Sequence, residues 1–169
     1  GVGKSMFLTN EAGFQLMRGK NVLYVTLEMA EERISERIDA KLLDVQIQDL
    51  KLLPKSTFRS KLDQIKSNPI GKVIVKEYAP GTFNANHLRY LLNELKNKKN
   101  FKPDIIMVDY LNLMASYRMK DPGNSYSYIK AVAEELRGVG MEFDVTIISP
   151  TQTNRQGMNA ADYDLTEIS

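Results

Sequence analysis

Gly1-Val2-Gly3-Lys4-Ser5 carries the residue types that hold a phosphate. Glycines let backbone N–H groups converge on an anion, a lysine reaches the terminal phosphates, and a hydroxyl ligates Mg2+. Lys4 and Ser5 take the last two roles, with Gly1, Val2, Gly3 and Met6 completing the turn around the nucleotide. Only the second half of the full pattern is present, and Gly-Lys-Ser alone also occurs as a surface turn. An apolar-periodic helix follows directly, and a helix N-terminus is where an anion is favoured, which supports the phosphate reading.

Two carboxylates stand at the ends of apolar runs. Ile105-Ile106-Met107-Val108-Asp109 reads as a strand closing on an acid. Ligands of open α/β sheets sit at the carboxyl ends of strands, so Asp109 is expected to hold a metal through water, with a turn cap as the bland alternative. Glu28 ends the run Val22–Leu27 and is placed to orient and deprotonate a water attacking the γ-phosphate. Its alternative is to cap the helix beginning at Glu31, a task for which Glu is poor. Gln152 follows the last apolar run; an amide there could sense a γ-phosphate, but spacing alone reads it as a surface side chain.

The elements that must position these groups alternate along the chain. Helices are expected over Met6–Met17, Glu31 to about Gln46, part of 50–68, around Leu88–Leu95 and around Ile129–Leu136, from apolar residues at helical spacing. Strands are expected at Val22–Leu27, Val73–Val75, Ile105–Val108 and Val145–Ile148, as nearly continuous apolar runs of the kind buried on both faces. Strand–helix alternation of this kind points to a doubly wound parallel sheet.

Composition sets outer limits. The 169 residues suit one domain, and 43% apolar with 26% charged residues is ordinary for a folded chain. A net charge of +2 is too small for any charge-driven argument about nucleic acid. Absence of cysteine excludes disulfides and thiolate chemistry, and one histidine argues against a histidine zinc site. No apolar run approaches the roughly 18 residues of a membrane span. His87 reads as a surface or capping residue, and Lys96, Lys98, Lys99 and Lys102 as the solvated, dipole-complementing end of a helix.

The motifs Gly1-Val2-Gly3-Lys4-Ser5, Leu27-Glu28-Met29, Val108-Asp109-Tyr110-Leu111-Asn112-Leu113-Met114 and Gln152-Thr153-Asn154-Arg155, in this order, resemble those of the DnaB-like replicative helicases, a RecA-fold family of hexameric ATP-driven DNA motors. The resemblance is nearest to phage-type members, through Glu28–Glu32, Arg37–Ala40, Leu91–Lys96 and Ala133–Arg137. It implies a RecA-like P-loop NTPase core: a mostly parallel sheet with helices on both faces. Residues 1–169 are then expected to be a single partial domain, lacking the strand before the phosphate loop and the C-terminal part. The implied activity is ATP hydrolysis coupled to translocation on single-stranded DNA and duplex unwinding, with feeble turnover in the fragment alone. The implied partners are ATP, Mg2+, single-stranded DNA, a homo-hexamer, a primase and a helicase loader, in the cytoplasm of a host cell.

Residue by residue, the resemblance makes Lys4 and Ser5 the phosphate and Mg2+ ligands, Glu28 the catalytic base, Asp109 the Mg2+-linked acid and Gln152 the γ-phosphate sensor. It adds Arg37, matching an arginine that lies against the base in bacterial relatives; an ordinary salt-bridged helix arginine is the alternative. Two loops are expected to face DNA: one with Tyr117, Arg118, Lys120 and Tyr126, the other with Asn154 and Arg155. For both, a solvated loop is the alternative. The chain departs from the bacterial pattern at Asn112, where Gln is usual, and at Pro150-Thr151, where a Ser commonly precedes the Gln. A RecA-type recombinase and a non-hydrolysing nucleotide-binding assembly module are the competing readings.

Overall fold

The computed structural model describes residues 3–120 and 125–152. Four parallel strands, β1 (Val22–Thr26), β2 (Val73–Glu77), β3 (Ile105–Asp109) and β4 (Thr146–Ile148), form a sheet in the order β2-β1-β3-β4. Every residue of β1 is buried, which is why its sequence is continuously apolar rather than alternating. Register places Thr26 beside Glu77 on one side and Asp109 on the other, so β1 and β3 end level.

Helices cover both faces. On one lie α5 (Ala85–Lys99) and α6 (Ser125–Phe143), whose Leu88, Leu92, Val132 and Leu136 meet Leu23, Val25, Ile106 and Val108. On the other lie α1 (Lys4–Met17) and α2 (Glu31–Leu42), whose Leu8, Leu16, Ile34 and Ile38 meet Val22, Tyr24 and Met107. Side chains alternate along a strand, so Tyr24, Thr26, Met107 and Asp109 all share the α1 face. The expected doubly wound sheet is therefore what forms.

Four local features bear on the sequence reading. The helix expected to run to about Gln46 stops at Leu42, and separate helices α3 (Ile47–Leu50) and α4 (Lys55–Lys66) follow. Asp44 takes a left-handed conformation with φ 51°, while the Asp44 and Val45 N–H groups donate to the Lys41 and Ala40 carbonyls. That is the helix-ending geometry usually marked by glycine, here carried by an aspartate that hides the stop signal. Of the two readings of His87, surface or capping, the second applies: Asn84 is the N-cap of α5 and its Oδ1 accepts from the N–H groups of Asn86 and His87, while His87 Nδ1 accepts from the Asn84 N–H at 3.3 Å. Lys96, Lys98 and Lys99 occupy the last turn of α5, where they complement its dipole. Gly71 lies against the backbone of Lys20, whose carbonyl oxygen occupies the space a Cβ would need.

Candidate functional site

The site lies where strand order turns about the chain's first strand. β1 is flanked by β2 and β3, and the crevice beyond the carboxyl ends of β1 and β3 is the place such sheets bind ligands. Thr26 shapes the exit from β1: its Oγ1 accepts from the Met29 N–H at 3.1 Å and donates to the Met29 carbonyl at 2.8 Å. This tight turn carries Glu28, which is exposed. Ala30 is the N-cap of α2, so Glu28 does not serve as its cap.

Asp109 ends β3 fully buried. One carboxylate oxygen, Oδ2, accepts a 3.0 Å hydrogen bond from the Tyr24 phenol, and the other, Oδ1, is a buried oxygen that has no partner among the described residues. Burial first, and then the Asp109 charge and the hydrogen bond to it, raise the Tyr24 pKa far above its ordinary value, with Arg37 opposing. The phenol therefore stays protonated and remains a donor. Tyr24 does not stand out in the sequence, where it reads as one more apolar strand residue. Its place two residues before the end of β1, on the Asp109 face, is the signal that could have found it.

Gly3 precedes α1 with φ 83°, a conformation glycine adopts without strain. No acidic residue stands in the first turn of α1 to neutralise its positive end. From that turn the Lys4 ammonium lies over the Tyr110 ring, 4.6 Å from its centroid. The Tyr110 hydroxyl pKa is raised by burial and then by the charges of Glu28 and Asp109. Lys4 thus stands over the ring that directly follows Asp109, and the charge of Glu28, from a distant part of the chain, acts on the same hydroxyl. Ser5 lies in the same first turn as Lys4, half-buried.

Gln152 stands on the same rim, just beyond β4, exposed and with its backbone N–H donating to Asn112 Oδ1 at 3.0 Å. Arg37 lies on α2 and lines a cavity of about 600 Å³ with Met6, Thr9 and Asn10 of α1, beside rather than within the Lys4–Tyr110 cluster. Arg118 is held by α6: its guanidinium donates to Glu134 and Glu135 and to the Ala131 carbonyl. Glu135, buried, also accepts from Ser116 Oγ and from the Tyr117 and Arg118 N–H groups. Lys120 and Tyr117 are exposed and Tyr126 half-buried. Gly1, Val2, Asn154 and Arg155 lie outside the described residues. Among the described residues no group of three or more His, Cys, Asp or Glu side chains could hold a metal, so any ion here must complete its shell from elsewhere.

Residues 1–164 match the DnaB-like helicase C terminal domain family. The chain belongs to that family. It is 40% identical over 171 aligned positions to the DnaB-like replicative helicase of Enterobacteria phage T4, covering 99% of this chain and 36% of that protein. A probable plasmid replicative DNA helicase of Chlamydia psittaci is 26% identical over 92% of this chain and 33% of its own length. The chain thus spans about a third of the curated relatives it matches. In three dimensions it resembles a DnaB-like replicative helicase whose structure was determined with its interactions with primase, at TM-score 0.71, 19% identity, and coverage of 96% of this chain and 39% of that one. It also resembles a second solved structure, an ATPase domain, at TM-score 0.71 and 20% identity, covering 95% of this chain and 56% of that one. The expected family and α/β fold therefore stand: this is the ATPase domain type of the DnaB-like helicases, and the recombinase reading is set aside. No helix among the described residues is long and apolar enough to cross a membrane.

Proposed function

We propose that this domain binds ATP with Mg2+ at the rim of the sheet and hydrolyses it, and that the whole protein uses the cycle to move along single-stranded DNA as a homo-hexamer and unwind duplex. The observation that carries the reading is the Lys4 ammonium over the Tyr110 ring, next to Asp109, at the strand ends where the turn carrying Glu28 also begins. Lys4 and the amides of the first turn of α1, including Gly3, Ser5 and Met6, receive the phosphates; Gly1 and Val2 extend the same loop. Arg37, lining a cavity with Met6, receives the base. The orphaned Asp109 Oδ1 suits a water of a bound Mg2+, and Ser5 supplies the direct hydroxyl ligand. When bound, Mg2+ neutralises charge on the β- and γ-phosphates.

Glu28 is the base. Its exposed carboxylate takes a proton from the water that attacks the γ-phosphorus, as the bond to the ADP β-oxygen breaks and Lys4 offsets charge on the transferred group. Gln152, on the same rim, registers whether the γ-phosphate is present. Of the loop side chains proposed to touch DNA, Lys120 is exposed and ready, whereas Arg118 must first leave Glu134 and Glu135. Asn154 and Arg155 follow Gln152 on the second loop. A primase and a loader are the protein partners expected of the whole machine.

Glu28→Gln tests the reading in full-length protein. The expected result is a fall in DNA-stimulated kcat of about 10²- to 10⁴-fold with ATP binding retained. Wild-type turnover in that variant would remove Glu28 from the chemistry and favour a nucleotide-binding assembly module.

A further inference from the structure

The turn after β3 and the segment after β4 touch each other through Asn112 and Thr151. Asn112 lies in the 3-10 turn Leu111–Leu113 that follows β3, and Pro150-Thr151 precedes Gln152 after β4. The Asn112 Oδ1 accepts from Thr151 Oγ1 at 3.0 Å and from the Gln152 N–H at 3.0 Å. An amide oxygen has two lone pairs, so this one is fully used. The neighbouring contacts run the same way: Ser149 Oγ donates to the Val108 carbonyl at 2.8 Å, and the Leu111 N–H donates to the Pro150 carbonyl at 3.1 Å. Residues 149–152 are thereby fastened, one after another, to residues 108–112.

What lies beyond Asn112 gives the clamp its consequence. Met114 is buried, and the Ala115 N–H donates to the Phe83 carbonyl at 2.8 Å. Ser116, Tyr117 and Arg118 are then gripped by the buried Glu135 of α6. The stretch from Asn112 to Arg118 is hydrogen-bonded along its length, the Leu113 carbonyl also accepting from the Gly81 N–H at 2.8 Å, so Asn112 and the loop after it form one restrained segment. Thr151 and Asn112 are only half-buried and Gln152 is exposed, so water can replace these bonds. Loss of the clamp therefore changes position more than stability.

We propose that Asn112, hydrogen-bonded to Thr151 and to the Gln152 N–H, is a positioning residue that carries the state of Gln152 to the loop 114–120. This rests on the proposed ATP-driven function, in which Gln152 senses the γ-phosphate and the loop meets DNA. The pair moves the loop when Gln152 moves; it takes no part in bond breaking.

The test uses full-length protein with Asn112→Ala, Thr151→Val and the double variant, measuring ATP turnover with and without single-stranded DNA and amide hydrogen exchange. Asn112→Ala is expected to lower the ratio of stimulated to basal turnover about 2- to 13-fold, the span of one ordinary hydrogen bond. Basal rate and KM for ATP stay as in wild type. Thr151→Val lowers the ratio in the same direction, and the double variant falls no further than Asn112→Ala, because both changes break one linkage. Without nucleotide, exchange in Asn112→Ala rises both at Gln152 and across 114–120. A ratio in Asn112→Ala equal to wild type, or an equal fall in basal and stimulated rates, overturns the proposal, as does exchange that rises at Gln152 alone. Failure of the ATP-driven reading looks different: wild type itself then shows no turnover, and the nucleotide-free exchange result still decides whether the clamp joins the two segments.

Discussion

Replacing Tyr24 with Phe isolates the bond that holds Asp109. The ring keeps its place in the core beside Met107, Ile34 and Leu8, so no cavity opens and the change is confined to one hydroxyl. That hydroxyl is the donor to Asp109 Oδ2 at 3.0 Å, and Oδ1 has no partner among the described residues to compensate. A hydrogen bond to a charged group contributes about 1.5–3 kcal/mol, and here its loss leaves a fully buried carboxylate without a donor. At about 2–4 °C per kcal/mol for a domain of this size, the melting midpoint should fall by roughly 3–12 °C. Urea unfolding of the 169-residue chain at pH 7 should show the same loss as a shifted midpoint with an unchanged slope, since the surface exposed on unfolding is the same. A change below about 0.5 kcal/mol, or a more stable variant, would refute the claim that the phenol supports the acid, because it would mean that burying the hydroxyl costs as much as the bond returns.

The same contact sets an alkaline limit. The folded-state pKa of Tyr24 lies above its ordinary value, so its contribution is complete below about pH 10 and declines as pH rises toward the folded-state value. Wild type should lose stability more steeply above pH 10 than Tyr24→Phe, with a shallower residual slope from Tyr78 and Tyr110, both also raised by burial; parallel pH curves for the two proteins would contradict this. Gly71→Ala forces a Cβ into the Lys20 backbone and should destabilise by at least about 1–3 kcal/mol in urea titration; a neutral effect would mean that the 20–21 turn moves freely. In full-length protein, Lys120→Ala should reduce the salt dependence of single-stranded DNA binding by up to about 0.7 in slope, the share of one phosphate, and Arg118→Ala by less, because Glu134 and Glu135 already hold that guanidinium. The reverse order would show that Arg118 is released when DNA binds.

What the sequence makes legible follows from how each feature is encoded. The strands of the sheet are buried on both faces, so they appear as unbroken apolar runs, and the acid closing β3 stands out as the first charge after such a run. The expected boundaries fall short mainly at helix ends: α1 begins at Lys4, inside the phosphate-binding turn, and α5 extends from Ala85 to Lys99 because its cap and its lysine-rich tail carry no apolar period. The hidden features are those made by pairing across the sheet. Tyr24 and Asp109 are 85 residues apart, Asn112 and Thr151 39 apart, and the bond within each pair leaves no mark on its local sequence. Arg118 makes the same point from the other side, since a cation in a loop reads as available until α6 returns two carboxylates to it. Local chemistry and periodicity therefore identify which groups can act, whereas the hydrogen bonds that fix or occupy those groups depend on strand order and register. Here the order β2-β1-β3-β4 sets Tyr24 one strand from Asp109 and brings the segment after β4 against the turn after β3. The same topology that gathers Lys4, Glu28 and Asp109 at one rim thus also builds the contact by which a change at that rim can reach the loop at 114–120.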